Sequence, residues 1–204
     1  MSYELNPAEV RVLGCLLEKD QTTPDHYPLS LNALTDACNQ KTNRDPVVSY
    51  QESKVQEAVE SLRAKKLVQV IAGYEIRVPK YGHSFSEAFN LGRGEMALIA
   101  VLLLRGPQTV GELRGRTQRM HSFDGLDVVE STLRRLQERE PPLARKMARQ
   151  PGWKESRYMH LLAGEVEAAL PEAEPSQLET RLETLEKEVA DLRQQLTDFR
   201  KQFE

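Results

Sequence analysis

With 204 residues, 39% hydrophobic and 29% charged, the chain has ordinary globular make-up and room for two small domains. Its longest apolar run, Met96 to Leu104, is too short to cross a bilayer, and two cysteines do not make a disulfide scaffold. The formal charge of −3 is uneven: residues 1–80 carry −1, residues 81–163 carry +4 and residues 164–204 carry −6. Any attraction to nucleic acid therefore centres on the middle stretch.

The first helix is expected after Asn6, which can cap it, with Pro7 in its first turn and Val10, Leu13, Leu16 and Leu17 as an apolar stripe. Residues 21–29 hold Thr22-Thr23-Pro24 and Pro28 and read as a loop. Ser30 caps a short helix over 31–38, and a polar turn through Asn43-Arg44-Asp45-Pro46 leads to a third helix over 50–66. Val68 to Ile71, Ala72-Gly73 and Tyr74 to Val78 then read as a tight β-hairpin, with 79–83 as a link.

The same order returns. A helix over 95–105 stops at Gly106-Pro107, Thr109 caps a helix running to about Arg119, and a third helix spans 126–140 and ends at Pro141-Pro142. Residues 143–149 and 156–162 are the strands of a second hairpin with Gln150 to Lys154 at its tip. Leu5-Asn6-Pro7-Ala8-Glu9 aligns with Leu91-Gly92-Arg93-Gly94-Glu95, Ser30 with Thr109, and Val55, Val59 and Leu62 with Val129, Leu133 and Leu136. Self-similarity of this kind decides architecture. The expected class is mainly α with small β-hairpins (α+β), as two tandem winged-helix domains over 1–80 and 81–163.

Residues 164–175 are acidic and proline-punctuated and read as a linker. Over 176–204, Leu178, Leu182, Leu185, Val189, Leu192, Leu196, Phe199 and Phe203 alternate spacings of four and three, a heptad that calls for a coiled-coil partner and a homodimer. Parallel pairing sets Arg181 against Glu186 and Glu188 against Arg193. Antiparallel pairing sets Glu179 against Arg200, so direction stays open, as does a tail folded back on its own chain.

Little points to an enzyme. His26, His83, His121 and His160 are scattered, Cys15 and Cys38 lie apart in apolar helices as buried thiols, and no metal, Walker or nucleophile-elbow spacing occurs. No cofactor, metal or catalytic residue is expected. Leu91-Gly92-Arg93-Gly94 reads as a helix-opening turn rather than a phosphate cradle, and Asp25-His26 as a solvated pair. The N-terminus lacks a basic stretch and an apolar region, so a soluble cytoplasmic protein without a membrane partner is expected.

A winged helix usually lays its third helix in the major groove. Here the outward faces, Tyr50, Ser53, Glu57, Glu60 and Ala64 in the first copy and Asp124, Asp127, Ser131, Arg134 and Glu138 in the second, carry carboxylates that phosphates repel. The cations lie elsewhere: Arg114, Arg116 and Arg119 on the second helix of the second copy, and Arg145, Lys146, Arg149, Lys154 and Arg157 on its hairpin beside Trp153. Arg44 and Lys54 are weaker candidates in the first copy. Double-stranded DNA held through its backbone is one expected partner; a protein docked on these faces is the other.

Asn39-Gln40-Lys41-Thr42-Asn43-Arg44-Asp45-Pro46-Val47, together with Leu91 to Glu95, Arg116-Thr117 and Arg149 to Tyr158, resembles the YceH-like family of uncharacterised bacterial proteins. The resemblance spans residues 1 to about 163 and implies the tandem winged-helix fold and a bacterial cytoplasmic setting; it implies no activity and no site residues. The Asn43 to Pro46 segment is either a recognition element or a capped turn whose side chains bond nearby amides.

Overall fold

A computed structural model describes residues 4–71, 78–148 and 155–164. The heptad of 178–203, the 164–175 linker apart from Gly164, and the hairpin tip with Arg149, Trp153 and Lys154 lie outside the described residues. The chain is α+β: helices carrying small antiparallel sheets.

Helix α1 (Pro7–Thr22) begins where Asn6 Oδ1 accepts the Ala8 and Glu9 amides at 3.0 Å, while Glu9 Oε2 accepts the Asn6 amide at 2.7 Å. A short 3₁₀ turn (Pro24–His26) and strand β1 (Leu29–Ser30) follow, in the stretch expected to be loop. Ser30 Oγ caps α2 (Leu31–Cys38) by accepting the Ala33 amide, and α3 (Glu52–Ala64) buries Val55, Ala58, Val59 and Leu62.

Strand β2 (Val68–Ile71) ends where the described residues stop, and 72–77 of the expected hairpin lie outside them. The partner of β2 is β3 (Lys80–His83), in the register Val68↔His83 and Ile71↔Lys80, and β1 flanks β3 on the other side. Tyr81 and His83 reach the core, and the Tyr27 hydroxyl accepts the His83 amide at 2.6 Å. Gly82 serves this approach, since a Cβ there would sit 3.4 Å from that hydroxyl. The expected link over 79–83 is therefore largely strand, and a further helix, α4 (Phe85–Phe89), follows it and buries Phe85.

The second half repeats the sequence of elements. Helix α5 (Arg93–Arg105) opens with the Gly92 amide donating to Glu95 Oε2 at 2.9 Å, the counterpart of Asn6 and Glu9. Its run from Met96 to Leu104 is buried without interruption, because this apolar segment is the central helix of the core. Thr109 and Glu112 form a capping box at α6 (Val110–Thr117), and α7 (Leu126–Gln137) buries Val129, Leu133 and Leu136. Strands β4 (Ala144–Lys146) and β5 (Tyr158–His160) pair antiparallel, and Gln108 bridges β5 as β1 flanks β3.

The two halves share one continuous core, running from Leu5 to Leu162. Helix α1 packs along α5, the Leu5 amide donates to the Leu162 carbonyl at 2.8 Å, and the Asp45 amide donates to the Leu104 carbonyl at 2.8 Å. The thiols of Cys15 and Cys38, distant in sequence, meet between α1 and α2. The contact with Cys15, together with burial, pushes the Cys38 thiol up.

On β5, burial pushes the His160 imidazole down to about 4, and its Nδ1 has no hydrogen-bond partner among the described residues. A histidine that stays neutral when folded contributes stability that is complete above its unfolded value of 6.5 and is lost as pH falls toward 4. His83 is also lowered, chiefly by burial, and acts in the same direction. Urea unfolding should therefore show His160 contributing up to about 2 kcal/mol of lost stability between about pH 7 and pH 5, with His160→Gln removing that share. Equal pH slopes in the two proteins would refute this.

Candidate functional site

The structure divides the candidate cations into those used inside the protein and those presented outward. Arg44 belongs to the first group. Its side chain is 0% exposed and forms a salt bridge to Glu18 at 2.6 Å, with further bonds to the Ala37 carbonyl at 3.1 Å, the Asn43 carbonyl at 2.9 Å and Gln40 Oε1 at 3.1 Å. Burial opposes the charge of Arg44, yet Glu18 beside it holds the guanidinium protonated. No duplex reaches such a residue, so Arg44 is a structural clamp rather than a recognition element. The Asn43 to Pro46 segment is a docked turn, held by its backbone and by arginines rather than by Asn43 or Asp45 side chains bonding nearby amides. Asn39 exchanges side-chain bonds with the Tyr50 backbone at 2.7 and 2.8 Å, Arg11 donates to the Cys38 and Pro46 carbonyls, and Arg105 donates to Asn43 Oδ1.

Arg114 and Arg157 are also engaged. Arg114 donates to the Phe123 and Asp124 carbonyls at 3.3 and 3.0 Å and closes the α6–α7 loop. Arg157 donates to the Pro107 carbonyl and to Glu112 Oε2, both at 2.9 Å, and so holds β5 to the start of α6. Lys54 is exposed and sits 3.7 Å from Glu57, a solvated pair of little worth.

Arg145 and Lys146 stand exposed on β4, with the Lys146 ammonium 5.8 Å from the centre of the Tyr158 ring. As adjacent strand residues they point to opposite faces of the hairpin. Arg116 and Arg119 are exposed as well and line a cavity between α1, α5 and α6, together with Arg105. Sequence reasoning missed Arg105, because a cation closing an apolar helix looks like an ordinary terminal charge.

Ser53, Glu57 and Glu60 on α3 and Asp127, Ser131 and Arg134 on α7 are exposed as expected, but Tyr50, expected on the outward face, precedes α3 and packs against the core. Beside the carboxylates of α7, Leu126 and Val128 are 49% and 37% exposed. Gly94 packs where a Cβ would lie 3.2 Å from the His121 ring, so the Gly92–Gly94 segment is a close helix contact. Asp25 and His26 are both exposed on their turn. Among the described residues no group of three or more His, Cys, Asp or Glu could hold a metal, and no helix is long and apolar enough to cross a membrane.

Residues 5–153 match the family model described as a protein of unknown function, DUF480. The chain belongs to this family. It is 53% identical over 210 residues to a UPF0502 protein of Solibacter usitatus, covering 100% of both chains. It is 50% identical over 220 residues to a UPF0502 protein of Geotalea uraniireducens, again covering 100% of both. It is 48% identical over 206 residues to the UPF0502 protein YceH of Salmonella newport, covering 96% of each. The resemblance read from the Asn39 to Val47 segment is thus correct, and in this chain that segment's arginine is an internal tie between α1 and α2.

Proposed function

We propose that this DUF480 member is a non-enzymatic, DNA-associated regulatory protein built from two winged helices. The order helix, strand, helix, helix and hairpin in both halves supports the winged-helix reading. The observation that carries the DNA reading is the exposed Arg145 and Lys146 on β4, in the half whose charge is +4, beside an α7 whose outward face is acidic. The hairpin then holds phosphates, and α7 does not read bases. Arg149 and Lys154 follow in the sequence and add two further cations to the stretch between β4 and β5. The heptad over 178–203 joins two copies, which doubles the backbone contacts.

Random duplex DNA in a salt titration tests this reading. Affinity should fall steeply with salt, and Arg145→Ala/Lys146→Ala should reduce the slope of log K against log salt by about 2. Absence of binding at low salt overturns it. A second reading, a protein-docking scaffold, is favoured by Leu126 and Val128 on α7. In that case polar replacements at these two positions abolish partner capture, and the salt titration shows no DNA binding.

A further inference from the structure

We propose that the cavity between α1, α5 and α6 binds a small dianionic phosphate monoester. The cavity measures about 230 Å³ and carries Arg105, Arg116 and Arg119 on its walls. Its one carboxylate, Glu18, is already neutralised by the two-point pair with Arg44 at 2.6 and 3.2 Å. The three guanidiniums therefore line a solvent-open cleft whose one lining carboxylate is already paired, an arrangement that can receive phosphate through forked donors.

Arg105 donates to Asn43 Oδ1, whereas Arg116 and Arg119 are lightly engaged by the protein. Arg119 makes no hydrogen bond or ion pair among the described residues. Arg116 reaches Glu112 only at 3.6 Å, and that carboxylate already accepts from Arg157 at 2.9 Å and from the Thr109 amide at 2.8 Å. Arg105 is held below its ordinary value first by burial and then by the nearby Arg116 and Arg44, with Glu18 and Asp45 opposing. A bound dianion offsets those two like charges.

The remaining wall selects an ester over a bare ion. Val101, Leu104 and Met120 supply an apolar floor that a short carbon chain covers and inorganic phosphate does not. Gly115 also lines the cavity. It lies within α6, where glycine weakens a helix, and a Cβ there would meet nothing within 4 Å. A larger side chain can therefore be placed at this position without striking the helix's neighbours.

Calorimetry on the full chain with glycerol 3-phosphate and with inorganic phosphate, at matched ionic strength, tests the site. Saturable binding of the ester, tighter than that of phosphate, is expected. Arg119→Ala should weaken it about tenfold or more. Gly115→Phe keeps every charge, fills the cavity and should abolish binding, with circular dichroism confirming that both variants are folded. Random duplex DNA serves as the diester arm, and its affinity should be unchanged by Gly115→Phe, so that a failure here is separate from a failure of the DNA reading. No saturable heat from the ester, binding of inorganic phosphate alone, undiminished binding in the two variants, or loss of DNA binding in Gly115→Phe would each overturn the proposal.

Discussion

Replacing Arg44 with alanine is expected to destabilise the protein by about 3–5 kcal/mol, measured as the shift in urea unfolding. The side chain is 0% exposed, and its removal leaves Glu18, itself only 12% exposed, as an uncompensated carboxylate. It also strips donors from the Ala37 and Asn43 carbonyls and from Gln40. Arg44→Lys should recover only part of the loss, because one ammonium cannot span both Glu18 oxygens and the Ala37 carbonyl together. Pairing Arg44→Met with Glu18→Gln should cost less than Arg44→Ala alone, since no charge is then left without a partner. A loss below about 1 kcal/mol in Arg44→Ala would show that the clamp is dispensable.

The second large effect is expected at Gly14, the closest approach of α1 to α5. A Cβ at this position would lie 2.9 Å from Leu104 Cγ and Cδ2 and 3.0 Å from Leu103 Cβ. These are contacts that real methyl groups do not make without movement of the neighbouring helix. Gly14→Ala gains about 1 kcal/mol of helix propensity and loses more to overpacking, for a net cost of about 1–2 kcal/mol. Gly14→Val, with two more carbons in the same space, should cost about 3 kcal/mol. Because both halves share the core, each variant should still unfold in one transition whose midpoint is lowered. A Gly14→Ala protein more stable than the parent would contradict the packing.

Much of this fold was legible in the sequence, and for local reasons. Asn6, Ser30 and Thr109 cap their own helices by bonding amides two or three residues away, so the signal and its consequence lie together. The stripes of α3 and α7 appear as periodicity because one face of each helix is buried. The partner of β2 was not legible. Lys80 to His83 reads as a link because it shows no apolar alternation, and its place beside β2 is held by Tyr27 and the core on the far side of the sheet.

The candidate site was legible only as composition. Counting cations located the basic half, but Arg44, Arg114 and Arg157 look like Arg116, Arg119 and Arg145 until their surroundings are known. Arg44 is matched to Glu18, 26 positions earlier, and Arg157 to Glu112, 45 positions earlier. No short-range pattern encodes such pairings. Buried carbonyls and carboxylates draw in the nearest long donor, and what is nearest depends on how helices pack.

The sequence by itself determined the elements, their caps, the duplicated order and the family, since each rests on neighbours along the chain. Only the tertiary structure decided that α1 and α5 bind the two copies through one core, which strand completes the first sheet, and which arginines remain available for a ligand. The physical reason is common to all three. They are settled by contacts between residues far apart in the chain, where packing density and charge compensation, rather than local propensity, select the outcome.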